Sequence, residues 1–330
     1  MIPAPTSPDK PHLLRLPNWL GDFILALPAV HLYQRWLNQR APLLIVGPPT
    51  LSSLAPILLP GIEYIPTPSF PFALHSILKK KQVSAATLLP NSIRVGLETL
   101  PTPYRAGFSR PLRNFLLTEH NPRRTSPYGY VHVADQYLGL LEDLGLPKGK
   151  AELPPPPTLP KPKDAPSQPY LAILPGAAYG PAKRWDPESF ASVIRDLQKS
   201  YFLQPILMGG PGDVEACQAV VQSLGSSVTN LSGKTTTLEL AHWLAHARLI
   251  LCHDSGPMHL AAFLRKPAVA IFGSTEPAWT GPLVSSVTVV RHKVSCSPCF
   301  LKSCPIDRRC MTRLTPEEVL SACVQRLNQK

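Results

Sequence analysis

The feature that most constrains the fold of this chain is a regular alternation of short apolar runs with helical patterns. Apolar strands that alternate with helices of ordinary length form a parallel sheet covered by helices on both faces. The second half therefore predicts a doubly wound α/β domain. Its apolar runs lie at 170–176, 204–210, 248–254 and 267–273, and its helical patterns lie at 187–199, 213–224, 237–246 and 257–265.

The first half repeats this layout, with its clearest helical pattern at 22–39. A proline-rich stretch at 152–169 separates the halves, and proline prevents both helix continuation and strand pairing. We therefore predict a stiff linker between two α/β domains, residues 1–155 and 156–330. The apolar runs of the first half lie at 12–17, 42–47, 62–66 and 84–90.

Composition argues against several classes of protein. Hydrophobic residues make up 44% of the chain and charged residues 16%, a balance typical of globular and not of disordered proteins. No apolar stretch approaches the roughly 18 residues of a membrane span, and the first ten residues lack the features of a signal peptide. The seven cysteines are an odd number and make a poor disulfide framework. We expect a cytoplasmic protein with reduced thiols.

The formal net charge of +12 indicates an anionic partner, such as nucleic acid, a phosphorylated lipid surface or a phosphate-bearing substrate. Residues 79–124 carry nine basic side chains against two acidic ones, Glu98 and Glu119. This basic segment is either a solvated face or part of an anion site. Its basic residues are Lys79, Lys80, Lys81, Arg94, Arg105, Arg110, Arg113, Arg123 and Arg124.

In sheets of this kind ligands bind beyond the carboxyl ends of the strands, so we examined the loops that join strands to helices. One such loop is Asp254-Ser255-Gly256, at the start of a helix. Gly256 permits a tight turn and Ser255 is a good capping residue, while the free amides and positive dipole end favour an anion such as a diphosphate. The same pattern fits a capped helix with no ligand. His259, one turn further, is either a packing residue or a neighbour of that ligand.

A second loop, residues 176–185, follows the first strand of the second half and begins with Gly176 and Ala177. It carries two adjacent cations, Lys183 and Arg184. Cations at the carboxyl end of a strand are well placed to neutralise charge on a departing phosphate. They are also compatible with ordinary surface charges.

In the first half, residues 18–22 (Asn-Trp-Leu-Gly-Asp) join the first strand to a helix. Asp22 stands in the first turn, where an acidic residue interacts favourably with the helix dipole. If it faces a ligand instead, its carboxylate can take a proton from an attacking hydroxyl.

Four of the cysteines crowd into one late segment, at Cys296, Cys299, Cys304 and Cys310. Their thiolates could enclose one structural Zn²⁺, although typical sites separate two close pairs by a longer finger. The alternative is a loop of reduced thiols, some of them packed.

Four segments together resemble the ADP-heptose:lipopolysaccharide heptosyltransferases of glycosyltransferase family nine, in an order and spacing that span nearly the whole chain. The resemblance implies a GT-B fold, in which two Rossmann-like domains face a central cleft. The donor would bind mainly to the second domain and the acceptor would approach the first. The last helix, from Pro316 to about Asn328, would pack back on the first domain. The matching segments are 18–22, 175–185, 253–277 and 296–311.

The resemblance also implies roles for the candidate residues. Asp22 would be the general base, and Lys183, with Arg184, would engage the donor phosphates or the heptose. The other donor-site residues would be Gly176, Ala177, Asp254, Ser255, Gly256 and His259. The acceptor site would include Asn18, Trp19, Arg105, Arg110 and Arg113. At His253 and Pro257 the sequence departs from the family pattern, in which asparagine and a larger apolar residue are usual.

The implied reaction is an inverting glycosyl transfer that needs neither a metal nor a cofactor. A hydroxyl of the first heptose on a phosphorylated lipid A–Kdo core attacks the anomeric carbon of ADP-heptose, Asp22 accepts its proton, and ADP departs from the opposite face. The transition state resembles an oxocarbenium ion, and Lys183 with the helix start after Gly256 would stabilise the leaving diphosphate. The enzyme would contact the inner face of the inner membrane peripherally, and the basic segment would hold the acceptor there.

Three alternatives remain open from the sequence. A related transferase, such as heptosyltransferase I or III, would differ in its acceptor. A catalytically silent homologue would bind the sugar nucleotide without turnover. A zinc-dependent nucleic-acid-binding protein would show stoichiometric zinc and salt-dependent affinity. The charge argues against the last, because residues 1–155 carry 15 basic and 9 acidic side chains and residues 156–330 carry 18 and 12, so the cysteine region is no separate basic module and we expect no nucleic acid.

Overall fold

The computed structural model describes residues 1–4, 7–125, 129–225 and 228–329. The chain divides into two compact units, Met1–Pro154 and Pro155–Lys330, and the division falls inside the proline-rich stretch. Among the described residues no helix is long and apolar enough to cross a membrane.

The first unit is a parallel sheet with helices in its connections. Its strands are β1 (His12–Arg15), β2 (Leu43–Gly47), β3 (Glu63–Pro66), β4 (Ala85–Leu88), β5 (Tyr104–Phe108) and β6 (Glu119–Asn121). Its helices are α1 (Leu20–Leu25), α2 (Leu27–Leu37), α3 (Ala55–Leu58), α4 (Ala73–Lys80), α5 (Ile93–Glu98) and α6 (Val133–Asp143). The strand order is β3-β2-β1-β4-β5-β6, so the order reverses between β1 and β4. This reversal is the switch point of a Rossmann-like sheet.

Strands β1, β2 and β4 are buried along their whole length, as expected where helices cover both faces of a parallel sheet. The single helix predicted for 22–39 is in fact two helices, α1 and α2. They separate at Ala26 because Pro28, which follows, has no amide hydrogen to donate to the carbonyl of Ile24.

The second unit repeats the same order. Its strands are β7 (Tyr170–Leu174), β8 (Gln204–Leu207), β9 (Thr229–Asn230), β10 (Leu249–His253), β11 (Ala268–Phe272) and β12 (Val287–Arg291). Its helices are α7 (Pro187–Tyr201), α8 (Val214–Leu224), α9 (Thr237–His246), α10 (Gly256–Phe263), α11 (Pro277–Thr280), α12 (Arg309–Thr312) and α13 (Pro316–Asn328). The strand order β12-β11-β10-β7-β8-β9 places the switch point between β7 and β10. All of its strand pairs are parallel.

The last helix, α13, contributes its apolar face to the core of the second unit. Val319, Cys323 and Leu327 are buried there, in the same cluster as Phe190 of α7 and Ile271 of β11. The resemblance had suggested packing on the first domain. That packing stays a prediction, while the buried face of α13 lies within the second unit, where this amphipathic stripe covers the sheet.

Gly107 in β5 provides a test of the packing in the first unit. A Cβ atom at this position would lie 2.7 Å from Nη2 of the buried Arg113 and 2.8 Å from the carbonyl oxygen of Leu88. We expect Gly107→Ala to lower the free energy of unfolding by about 1–3 kcal/mol through overpacking. The melting temperature should fall by roughly 2–4 °C for each kcal/mol, as measured by scanning calorimetry.

The matched control for this substitution is Gly212→Ala, because a Cβ atom at Gly212 would meet no heavy atom within 4 Å. This variant should melt close to the wild type. Equal melting temperatures for the two variants would contradict the close approach of Arg113 to β5.

Candidate active site

The candidate donor loops begin side by side at the switch point of the second sheet. Strands β7 and β10 pair in parallel, with Leu174 opposite Cys252. The loop of residues 175–186 leaves β7, and Asp254 and Ser255 leave β10, from the same edge of the sheet. The sequence had predicted that ligands gather at this edge, and the topology brings the two loops together there.

Lys183 and Asp254 form an ion pair that links the two loops. Lys183 ends a short 3₁₀ turn, is nearly buried, and places its Nζ 2.5 Å from Oδ2 of Asp254. The same Nζ donates to the backbone carbonyl of Asp254 at 3.3 Å. The hydroxyl of Thr275, which follows β11, donates to Asp254 Oδ2 at 2.6 Å. The carboxylate therefore holds the lysine at the sheet edge, and its own charge is compensated.

His253 fastens both ends of the first of these loops to β10. Its Nε2 accepts a hydrogen bond from the backbone amide of Trp185 at 2.8 Å, and its Nδ1 lies 3.3 Å from the carbonyl oxygen of Gly176. A nitrogen that accepts from an amide carries no proton, so the proton of the neutral ring sits on Nδ1. Burial lowers the pKa of His253 to about 4, and the bond to Gly176 opposes that shift. The sequence departs from the family pattern at His253 and Pro257, and these hydrogen bonds give His253 a clear structural role.

The start of α10 differs in one detail from the sequence prediction. Ser255 is the N-cap residue, but its side chain makes no capping bond. Its hydroxyl donates instead to the carbonyl of His253 at 3.1 Å. The expected side-chain cap is therefore wrong, although the backbone carbonyl of Ser255 accepts a hydrogen bond from the amide of Met258 at 3.1 Å. The buried His259 lies in the first turn of this helix, where the sequence had placed it.

The cysteine-containing loop, residues 292–308, packs against the loop of residues 175–186. The carbonyl of Lys302 accepts a hydrogen bond from the amide of Ala182 at 3.0 Å, and the hydroxyl of Tyr179 donates to the carbonyl of Phe300 at 2.6 Å. The ammonium groups of Lys183 and Lys302 lie 4.9 and 5.9 Å from the centre of the Tyr179 ring. Both lysines are therefore within cation–π distance of the same aromatic ring.

The sequence allows the four cysteines of this loop to be either a zinc site or reduced thiols, and the choice between the two stays a prediction. Within the ranges that the structure covers, no three histidine, cysteine, aspartate or glutamate side chains converge as metal ligands. Cys296 is exposed, whereas Cys310 is buried, and burial raises the pKa of the Cys310 thiol. Backbone contacts such as Cys299 N to Ser274 O at 3.1 Å give the loop its shape. The thiols of Cys299, Cys296 and Cys304 nonetheless lie near enough to Cys310 to raise its pKa further.

In the first unit, residues 18–22 leave β1 beside the switch point with β4. Asp22 lies in the first turn of α1 and is partly exposed. Burial raises the pKa of Tyr137 on α6, and the nearby Asp22 carboxylate raises it further. Asn18 is held by Arg15, whose Nη2 donates to Asn18 Oδ1 at 2.9 Å. Trp19 is 63% exposed.

Arg15 is itself buried and pairs with the buried Glu98, with Nε 3.2 Å from Oε2. Neither residue was singled out from the sequence, nor were Thr275 and Tyr137. A signal existed for Arg15, since it is a charged residue inside an otherwise apolar strand. Glu98 also pairs with Arg94, whereas removing Glu98 would leave the buried charge of Arg15 uncompensated. The pair thus holds Arg15 in place, and Arg15 in turn holds Asn18.

The basic segment at 79–124 does not form a single surface. Helix α4 runs antiparallel to the strands, so Lys79 and Lys80 in its last turn lie at the amino edge of the sheet, and Lys81 pairs with Glu63 at 2.8 Å. The loop that follows β5, which carries Arg110, lies at the opposite, carboxyl edge. The expectation of one basic face is therefore wrong.

Two of the arginines predicted to bind the acceptor are engaged with the backbone. Arg113 is fully buried, and its guanidinium donates to the carbonyls of Phe108 and Pro90. Burial lowers the pKa of Arg113 to about 10. Arg105 donates to the carbonyls of Leu116 and Thr102. Both side chains shape loops of the first unit, whereas Arg110 is exposed.

Comparison with known proteins decides the family. Residues 72–309 match the family model described as glycosyltransferase family 9 (heptosyltransferase). The chain belongs to glycosyltransferase family 9. The family predicted from the sequence is thereby confirmed, and so is the prediction that the protein is a transferase. The alternative of a zinc-dependent nucleic-acid-binding protein is excluded.

Relatives of this family 9 chain match it over most of its length. Lipooligosaccharide heptosyltransferase 2 of Campylobacter jejuni is 30% identical over 320 residues, which cover 93% of this chain and 95% of that protein. Lipopolysaccharide heptosyltransferase 2 of Escherichia coli is 29% identical over 84% of this chain and 88% of that protein. The solved structure of the E. coli ADP-heptose lipopolysaccharide heptosyltransferase II superposes with a TM-score of 0.80 at 25% identity, covering 96% of this chain and 98% of that one. The predicted GT-B fold class is confirmed.

The two most strongly shifted histidines predict how the stability of this family 9 transferase depends on pH. Burial lowers the pKa of His12 and of His253 from 6.5 to about 4. Between these values the unfolded chain binds more protons than the folded one, so their contribution is complete above pH 6.5 and is lost as the pH falls towards 4. We expect the free energy of unfolding in urea to fall across this window by up to about 1.4 kcal/mol per pH unit for each histidine.

Substituting one of these histidines separates its effect from that of the carboxylates. His253→Gln keeps an acceptor for the amide of Trp185 but does not titrate. The fall in the free energy of unfolding per pH unit should therefore be smaller by the contribution of one histidine. A slope equal to that of the wild type would show that His253 is not held neutral by burial.

Proposed function

We propose that this family 9 transferase moves heptose from ADP-L-glycero-D-manno-heptose to the first heptose of the lipopolysaccharide inner core, the activity of a heptosyltransferase II. The observation that carries the proposal is that similarity to heptosyltransferase 2 of C. jejuni extends over 93% of the chain. It therefore extends over most of both units.

In this proposal the diphosphate of the donor lies at the start of α10. The positive end of the helix dipole favours an anion there, and Lys183 supplies a nearby cation. Arg184, Gly176 and Ala177 complete the loop on the other side of the switch point, and His259 lines the first turn of the helix.

Asp254 receives a different role from the direct donor contact that the sequence suggested. Its Oδ2 already accepts from Lys183 and Thr275, and a phosphate beside the same carboxylate would be repelled. We propose that Asp254 positions Lys183. The lysine then meets the developing charge of the leaving ADP, while Asp254 limits the cost of keeping a cation nearly buried before the donor arrives.

Asp22 is the proposed general base. It would take the proton of the attacking hydroxyl while ADP leaves from the opposite face, so that the configuration at the anomeric carbon inverts. Protein cations and the start of α10 receive the charge of the leaving group, and the proposed mechanism includes no metal or other cofactor.

The acceptor is proposed to be a phosphorylated lipid A–Kdo–heptose at the carboxyl edge of the first sheet. Asn18, Trp19 and the exposed Arg110 would contact it, while Arg105 and Arg113 would hold the loops in shape. The enzyme would work in the cytoplasm, in peripheral contact with the inner membrane.

The choice of acceptor is tested by supplying ADP-heptose with core acceptors that carry zero, one or two heptoses. We expect transfer to the acceptor with one heptose, which mass spectrometry of the product detects. Transfer only to the heptose-free acceptor would indicate heptosyltransferase I, and transfer only to the longer core would indicate heptosyltransferase III. Binding of ADP-heptose without any transfer would indicate a silent homologue.

The proposed roles of Asp22 and Lys183 predict different kinetic losses. Asp22→Asn should reduce kcat by about 10²–10⁴ with ADP-heptose affinity retained, because only proton transfer is lost. Lys183→Met should reduce kcat by about 10²–10³ and also weaken ADP binding. Steady-state rates and calorimetric titration with ADP measure these effects.

Matched controls exist for both substitutions. Asp135 is an exposed acid in the first turn of α6, so Asp135→Asn loses a comparable dipole interaction without touching the proposed site. Lys199→Met removes an exposed cation from α7. Both controls should keep wild-type rates. An Asp22→Asn enzyme as active as Asp135→Asn would remove Asp22 as the base.

A further inference from the structure

Four large apolar side chains project into solvent from two loops of the first unit. Phe70 is 75% exposed, Phe72 55%, Leu112 70% and Phe115 87%. We call these four residues the apolar rim. Single exposed apolar residues are common on protein surfaces, but a group of them marks an interaction site.

The rim lies along one edge of the sheet. Phe70 and Phe72 stand in the loop that follows β3, and Leu112 and Phe115 stand in the loop that follows β5. All strands of this sheet are parallel, so both loops lie at its carboxyl edge. The loop that carries Asp22 leaves β1 at that same edge.

The two loops are joined through α5, which lies between them. Arg94 on α5 donates to the carbonyls of Pro68 and Ser69 at 2.9 and 2.8 Å, and it pairs with Glu98 at 2.9 Å. On the other side of α5, the side chain of Leu116 approaches Gly96 so closely that a Cβ atom there would lie 2.8 Å from it. The rim therefore belongs to one continuous surface.

The rim is exposed because hydrogen bonds hold the second of these loops in a defined shape. Arg113 is buried beneath the second loop and donates to the carbonyls of Phe108 and Pro90. Asn114 accepts from the amide of Arg110 at 2.8 Å and donates to Ser109 Oγ at 3.0 Å. These bonds hold Leu112 and Phe115 outward.

The rim is accompanied by positive charge. The side chain of Arg94 is 51% exposed, and because Arg94 and Arg15 share the single carboxylate of Glu98, this group keeps one positive charge. Arg110 is exposed and makes no ion pair with any residue that the structure describes. Neither loop, 67–72 or 109–117, contains an acidic residue. Aromatic and leucine side chains beside arginines match the boundary between the headgroups and acyl chains of an anionic bilayer.

We propose that the apolar rim docks this protein on an anionic phospholipid bilayer, with its four side chains inserted at headgroup depth and Arg110 against lipid phosphates. This deepens the proposed function, since it assigns the membrane contact to particular residues. A lipid-anchored acceptor would then present its sugars at the edge where Asp22 stands. The rim thus binds the lipid bilayer itself and not only the acceptor.

The test is vesicle binding by the full-length protein and by the double variant Phe70→Ser/Phe115→Ser. The wild type should co-sediment with vesicles that contain phosphatidylglycerol, and less with pure phosphatidylcholine. The double variant should bind the anionic vesicles at least about ten-fold more weakly, because two large apolar side chains no longer insert. Phe202→Ser is the matched control, since Phe202 is 80% exposed on the second unit. It should bind like the wild type.

A transfer assay separates this proposal from the proposed function. With a deacylated, water-soluble acceptor the double variant should keep the wild-type rate, and with the acceptor embedded in vesicles its rate should fall about ten-fold or more. A complete lack of transfer by the wild type would refute the proposed function and leave the vesicle result standing.

Two outcomes would overturn the docking proposal. One is equal binding of wild type and double variant to anionic vesicles. The other is no vesicle binding together with a concentration-dependent dimer that the double variant abolishes in analytical ultracentrifugation. The rim would then be an interface with a second copy of the chain.

Discussion

In the second unit β7 and β10 pair in parallel, from Leu171 opposite Leu249 to Leu174 opposite Cys252. This pairing brings together two loops separated by some seventy residues of sequence, and the rest of the candidate site depends on it. The chain leaves both strands at one edge, so Lys183 can reach Asp254, and His253 can bind both ends of the loop that carries the lysine. The first sheet uses the same order, and there Asp22 follows β1 at the switch point with β4.

The electrostatics of the second site follow from burial. A nearly buried lysine is costly without a partner, and Asp254 supplies one. His253 is held neutral, which is the protonation state its two backbone partners require. The site therefore contains a lysine that is paired before a ligand arrives and a helix start without a side-chain cap. An incoming diphosphate would add an acceptor for the lysine without first displacing a mobile side chain, which is the kind of preorganisation that lowers the cost of stabilising a leaving group.

Much of this arrangement could be predicted from the sequence, and the failures have physical causes. The buried strands β1, β2 and β4 gave continuous apolar runs, and a glycine or a capping residue after several strands marked the loops. Strands β6 and β9 are short edge strands that carry no apolar residue, so no run marked them. Cysteine spacing alone does not specify where backbone contacts carry each thiol. The sequence could not show that Ser255 lacks a side-chain capping bond, because its hydroxyl donates to the carbonyl two residues earlier.

Charge shows most clearly why position in the fold matters more than position in the sequence. The basic segment looked uniform along the chain, yet a helix that returns antiparallel to its strands carries Lys79 and Lys80 to the far edge of the sheet. Of the arginines at the other edge, Arg113 is fully buried and holds the backbone, which leaves Arg110 and Arg94 among those facing solvent. Buried arginines and exposed arginines thus do different work, since the first fix a loop and the second present charge on it. A loop fixed in this way can hold phenylalanine outward, and the positive charge beside it makes an anionic lipid surface a better partner than a purely apolar one.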